Sequence, residues 1–207
     1  MSHELWRESL KRLRAIAQTG QTYTKDPYDL ERYEELEAMA LTLLARLLDA
    51  PPEVMRSVYL PEKGYPTPKI DVRAGVFQND QVLLVRETAD GRWTLPGGWG
   101  DEHEAPRASI EREVREESGY EVRAERLVAV KDRHLHPYTP KRLERIYKLF
   151  FLCELTGGEA TTSIETDAVG FFSLDELPPL SLGRTLPDDI NLLNDYRAAP
   201  ERPCYFD

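Results

Sequence analysis

Glu113, Glu116 and Glu117 stand at i, i+3 and i+4 within GWGDEHEAPRASIEREVREESGY (98–120), and this crowding of like charge constrains the chain more than any other feature. Pro106 suits a first helical turn, where its missing N–H costs nothing, and Gly119 suits the residue after a last turn. The stretch between them predicts one helix of about fourteen residues, turning about 100° per residue. On that wheel Ile110 and Val114 form a narrow apolar stripe, with Glu117 beside it, Glu113 next and Glu116 beyond. A merely solvated face would set Lys or Arg three or four residues from each Glu, because like pairs repel. Two readings follow. Arg107, Arg112 and Arg115 are partial counter-ions of an acidic surface helix, or the carboxylates gather around a divalent cation. Hard cations such as Mg²⁺ take oxygen ligands and bind through a few carboxylates plus the phosphates of a substrate. Two such ions can clamp both ends of a phosphoryl displacement.

The order of residues separates these readings. Gly98, five residues, Glu104, seven residues, then Arg112-Glu113-Val114-Arg115-Glu116-Glu117-Ser118-Gly119-Tyr120 resembles the Nudix box of the Nudix hydrolases at every defining position. It departs mildly at Asp101-Glu102-His103-Glu104, where many members have a Gly before the Glu. The resemblance, over about residues 66–185, implies an α/β/α sandwich around a mixed sheet. It also implies Mg²⁺-dependent attack of water on a diphosphate joining a nucleoside to a group X, with Mn²⁺ as a substitute ion. By position Glu113, Glu116 and Glu117 correspond to the metal ligands, with Glu116 and Glu117 at the chemistry, and Glu104 and Arg112 orient them from behind. Family members often add a carboxylate from a later loop as general base. Glu165 stands at that place, with Glu121 and Asp167 as spares.

The rest of the chain narrows the resemblance. A helical N-terminus, then PKIDVRAGVF, WTLPGGWGD, DRHLHP and YKLFFLCEL, is similar to the subgroup acting on X-linked nucleoside diphosphates, including bacterial CDP-choline pyrophosphatases. CDP-choline cleaved to CMP and phosphocholine is therefore the leading expectation, and ADP-ribose the alternative. A Nudix-like sensor that binds without cutting is the reading from another class. Arg73, Arg86, Trp99 and His134 are candidate substrate contacts, each of which has an ordinary surface or structural role to set beside it.

The remaining organisation follows from pattern. Residues 1–62 read as a helical domain. Leu5, Trp6, Leu10, Leu13 and Ile16 fall at helical spacing over 3–18, and a second helix starts with Asp26 as N-cap and Pro27 at its first position, running to Asp49. Two such helices bury too little to stand alone, so they predict packing on the next domain or a homodimer. Ala50-Pro51-Pro52 reads as a stop, and LPEKGYPTPK (60–69) as a linker. The domain 66–207 carries strand-like segments at 70–77, 81–86, 126–132, 146–154 and 169–172. SLDELPPLS reads as a turn with a helical fragment, and 187–196 as a final helix.

With 27 basic and 37 acidic residues the formal charge is −10, so no surface-wide basic field attracts nucleic acid or an anionic membrane. Cys153 and Cys204 alone provide neither a disulfide framework nor a zinc spacing, and a reducing cytoplasm is the simplest home. Neither a signal core nor a membrane span is expected.

Overall fold

The computed structural model describes residues 3–59 and 63–207, and the chain divides into two compact units, Met1–Thr67 and Pro68–Asp207. Residues 60–62 of the expected linker lie outside the described residues.

The first unit is helical: α1 (His3–Tyr23), α2 (Pro27–Leu47) and α3 (Pro52–Tyr59). Asp26 caps α2 as expected, accepting from Tyr28 N–H at 2.8 Å and Asp29 N–H at 3.2 Å. Helix α1 runs five residues beyond the expected Gln18, with the Thr19 and Thr22 hydroxyls folded back on the carbonyls of Ala15 and Gln18. Gly20 permits the crossing of α1 and α2, since a Cβ there would meet the Tyr33 ring at 2.4 Å. Helix α3 was not expected: Pro52, read as a stop, is its first residue, a position where proline is tolerated. Arg14 is buried, pairs with Glu37 at 3.2 Å and stacks over Tyr59.

The second unit is a mixed sheet between helices, the α/β/α arrangement. Its elements in chain order are β1 (Lys69–Gln78), β2 (Gln81–Glu87), β3 (Trp93–Thr94), α4 (Pro106–Ser118), β4 (Tyr120–Asp132), β5 (Ile146–Gly158), β6 (Thr166–Ser173), α5 (Pro187–Ala198) and β7 (Tyr205–Phe206). Among the described residues the strand order is β3-β2-β1-β5-β4-β7, with β6 paired to β2. The pair β1·β5 is parallel in register Ile70↔Tyr147 through Val76↔Cys153, while β4·β5 and β1·β2 are antiparallel. Successive strand residues face opposite sides. Thus Leu83 joins Val72, Ala74, Ile110 and Val114 under α4, whereas Val82 and Leu84 join Phe150, Ile190 and Leu193 under α5.

Strand β3 was not expected and β5 runs four residues beyond 154, and three further segments differ from expectation. Strand β4 begins at Tyr120, not Arg126, because exposed Glu121, Arg123 and Glu125 alternate with Val122 and Ala124 and two register shifts interrupt that part of the ladder. The SLDELPPLS segment is turn without helix, its two adjacent prolines favouring extended backbone. The short β7, parallel to β4, carries only two residues and no periodic signal.

Asp189 anchors α5 from inside. Fully buried, it accepts from Lys131 Nζ at 2.8 Å, Tyr138 OH at 2.7 Å and Leu186 N–H at 2.8 Å. Asp189→Asn leaves the Lys131 ammonium buried without its counter-charge, and breaking such a pair costs about 3–5 kcal/mol. Urea denaturation should show that loss; a change below about 1 kcal/mol would mean that water reaches the site.

Candidate active site

The α4 helix lies where its ends dictate. Pro106 opens it, and Gly119 closes it at φ 75°, a left-handed conformation in which a Cβ would meet Glu159 O at 2.4 Å. Ile110, Val114 and Glu117 are all buried on its inner face. In front runs the loop 96–100, pinned along β1 like a further strand. Ala74 N–H donates to Pro96 O at 2.9 Å, Val72 N–H to Gly98 O at 2.8 Å, and Gly100 N–H to Ile70 O at 2.9 Å. Gly97 sits at φ 140° with Val72 O only 2.0 Å from where a Cβ would stand, so no other residue fits. That contact aims Gly97 N–H at Glu117 Oε2, 2.8 Å away.

Glu117 is 4% exposed, and burial, the largest influence, pushes its carboxyl up to about 8, with Arg73 and the Gly97 hydrogen bond opposing. Burial also raises Glu113, against the neighbouring Arg112. Arg112 is the present counter-charge of the helix. Its Nε meets both Glu104 oxygens at 3.0 Å, and its Nη1 meets Glu116 at 2.8 Å and Glu113 at 3.0 Å. These bonds, chiefly the one to Glu104, raise the guanidinium further, and the same contact lowers Glu104.

These groups line a cleft of about 740 Å³ whose other wall is basic. Arg73 is held by Asp71 at 2.8 Å and Leu95 O at 3.0 Å. Lys148 contacts the same Asp71; burial lowers its ammonium to about 7, with the Asp189 carboxylate opposing the shift and Arg184 adding to it. Arg184 pairs with buried Glu87 at 2.9 Å, and Glu87 is raised by burial.

Of the residues singled out in the sequence, Arg73, Trp99, Arg112, Glu113, Glu116, Glu117 and Glu165 line the cleft, and Glu104 reaches it through Arg112. Arg86 does not line it: it pairs with Asp167 at 2.6 Å across the β2·β6 ladder and lies 5.9 Å from the Trp93 ring centre. His134 also lies outside, its ring nitrogens near Asp132 and the Arg142 carbonyl. Glu121 is taken up by the β4·β5 ladder. Glu87, Arg133, Arg142, Lys148 and Arg184 were not foreseen. Lys148 alone carried a signal, a lysine inside an otherwise apolar buried strand.

The fit to a cation rests on donor chemistry. The carboxylates are hard oxygen donors, and Glu113 and Glu117, both raised, are destabilised as anions in the way a cation would reverse. As the side chains stand, Arg112 occupies Glu113 and Glu116, and among the described residues no three acidic, His or Cys groups converge on one point.

A NUDIX domain model matches residues 67–195, and a model described as the UDP-X-like N-terminal oligomerisation domain matches residues 4–59. The chain therefore belongs to the Nudix family. It is a Nudix pyrophosphohydrolase, from a family that generally uses divalent metal ions. It is 43% identical over 98% of its length, and 97% of the relative's, to a Bacillus subtilis (strain 168) protein named "Putative ADP-ribose pyrophosphatase YjhB". An ADP-ribose pyrophosphatase structure from Streptococcus suis 89-1591 shares 44% identity at TM-score 0.63, covering 68% of this chain and all of that one. A UDP-X diphosphatase structure shares 34% identity at TM-score 0.63 over the whole of both chains.

Because folded Glu117 holds its proton to about 8, above the ordinary 4.5, the folded protein binds more protons than the unfolded chain between those values. Stability of the metal-free protein therefore falls as pH rises through that window. With chelator present, Tm should drop from pH 5 to pH 8, and Glu117→Gln should flatten the drop. An equally steep profile in the variant would place the penalty elsewhere.

Proposed function

We propose that this enzyme hydrolyses the diphosphate linkage of an X-linked nucleoside diphosphate with Mg²⁺, or Mn²⁺ in its place, and that ADP-ribose stands ahead of CDP-choline as substrate. The observation that carries the order is the wall of the cleft. A quaternary ammonium is recognised by aromatic faces, yet Trp99 is the one aromatic lining residue among those described, beside Arg73, Arg133, Arg142, Lys148 and Arg184. Cationic lining suits a neutral or anionic X. The names of the Bacillus subtilis and Streptococcus suis relatives point the same way.

Glu113, Glu116 and Glu117 would hold the cation, whose chemistry would be to neutralise charge developing on the phosphoryl oxygens. Glu104 orients Arg112, and Arg112 in turn spaces Glu113 and Glu116. Glu165, on the exposed loop at the cleft, takes a proton from the attacking water. Oxygen attacks phosphorus, the bridging P–O bond breaks, and a nucleotide and a phosphate-bearing X leave. Arg73 and Lys148, fixed by Asp71, supply positive charge to the diphosphate.

The domain 1–62 serves association, and 66–207 hydrolysis. Leu5, Trp6, Leu13 and Ile16 are exposed on α1 and Leu43 on α2, an apolar face suited to a second copy in a homodimer. Both cysteines are free, consistent with a reducing cytoplasm, and no described helix is long and apolar enough to cross a membrane. Ile16→Glu should halve the mass seen by sedimentation; an unchanged mass would remove this face from the interface.

Incubation of ADP-ribose, CDP-choline, NADH and nucleoside triphosphates with Mg²⁺, read by product chromatography, tests the reaction. AMP and ribose 5-phosphate should dominate. Glu117→Gln should lose about 100-fold or more in kcat, and Glu165→Gln a similar factor. CMP and phosphocholine as the only good products would reverse the substrate order. Binding without any turnover would make the chain a sensor.

A further inference from the structure

Five cations are buried among the described residues, and four of them meet a carboxylate: Arg14 meets Glu37, Arg73 and Lys148 meet Asp71, and Lys131 meets Asp189. Arg133 does not. It is 2% exposed, and its partners are neutral carbonyls, with Nη2 at 2.7 Å from Pro140 O and 3.3 Å from Gly183 O. The Tyr138 ring lies 5.4 Å away, and Nη1 is buried with no partner at all. An isolated buried charge is costly, and buried charges are otherwise paired.

The surroundings leave Arg133 short of counter-charge: repulsion by Arg142 outranks the attraction of Glu144, which forms no ion pair with it among the described residues. Exposed Arg142, which has no carboxylate partner among the described residues, is near enough to repel Arg133. Both line a side recess of about 260 Å³ that shares Arg133, Arg142, Gly183 and Arg184 with the main cleft and none of the α4 carboxylates. The one acid of the recess, Asp90, is spent on Ser181 Oγ at 2.7 Å and Arg184 at 3.3 Å. A diphosphate held at the glutamates leaves this end of the cleft without an anion.

We propose that the recess walled by Arg133, Arg142 and Arg184 is a subsite for a second anionic group of the substrate, a carboxylate or phosphate separate from the scissile diphosphate. This rests on reading the cleft as the diphosphate site. Within X-linked nucleoside diphosphates, the preferred members then bear an additional anion, either on X or on the nucleoside ribose, with ADP-ribose as a parent compound that leaves the subsite unfilled. Selection for anionic ligands by a protein of net charge −10 requires a local cause, because its overall field repels them.

Calorimetric titration of the full chain in chelator, where nothing turns over, isolates binding from catalysis. Two matched pairs serve as probes: UDP-glucuronate against UDP-glucose, and 2′-phospho-ADP-ribose against ADP-ribose. The anionic member of at least one pair should bind about tenfold tighter or more, the scale of charge-assisted hydrogen bonds. Preference in the first pair places the anion on X, and preference in the second on the ribose. Arg142→Ala, at an exposed position, should bring the ratio toward one with an unchanged circular dichroism spectrum, and Arg133→Lys should retain part of it. Equal binding within both pairs, or a preference that survives both substitutions, overturns the proposal. Hydrolysis of the four compounds with Mg²⁺ is scored separately. Discrimination without cleavage sinks the hydrolase reading alone, whereas cleavage without discrimination sinks the subsite alone.

Discussion

Glu117 is a carboxylate taken almost wholly out of water with a single backbone N–H as hydrogen-bond partner, and much of the second unit is arranged to keep it there. The N–H belongs to Gly97, whose backbone touches β1 so closely that no side chain fits between. That approach depends on the loop 96–100 being bonded to β1 at Ile70, Val72 and Ala74, and on Ile110 and Val114 seating α4 against the same strand. Sheet packing, loop path and carboxylate position are thus one constraint. A shift of β1 would move the donor and the carboxylate apart.

The second constraint is charge balance on α4. Three carboxylates on one face repel, and Arg112 divides itself among Glu104, Glu113 and Glu116. Glu104 takes the Nε–Nη2 edge of that guanidinium, which anchors it beside the helix, so Nη1 spaces Glu113 and Glu116 and the buried Glu117 stands apart. Lysine would serve less well, since its ammonium is a compact point charge on a flexible stem, whereas the planar fork directs five donors in fixed directions.

What the sequence made legible was local. Pro106, Gly119 and the apolar pair Ile110 and Val114 were enough to place α4 and its carboxylates, because caps and period act within one element. Beyond Arg73 the basic wall was hard to read, because Lys148, Arg133 and Arg184 come from β5, a short 3-10 turn after β4 and the loop before α5, and only the sheet brings them together. Arg86 misled for the opposite reason: its strand position looked suitable, but which face it takes depends on the pairing of β2 with β6, and there Asp167 captures it. Pro52, the first residue of α3, misled because Pro both ends one helix and opens another.

The two walls of the cleft explain each other. A site made of glutamates alone would repel a diphosphate, and one made of arginines alone would bind it without activating it. On the proposed reading Asp71 settles the conflict by holding both Arg73, on β1, and Lys148, on β5, in the cleft that the α4 glutamates also line. Fixed charges cost no reorganisation when a reaction proceeds, which is the condition under which electrostatics contributes most to a rate. The parallel pairing of β1 with β5, Asp71 directly beside Lys148, is what makes that arrangement possible, so the sheet register is itself part of the site.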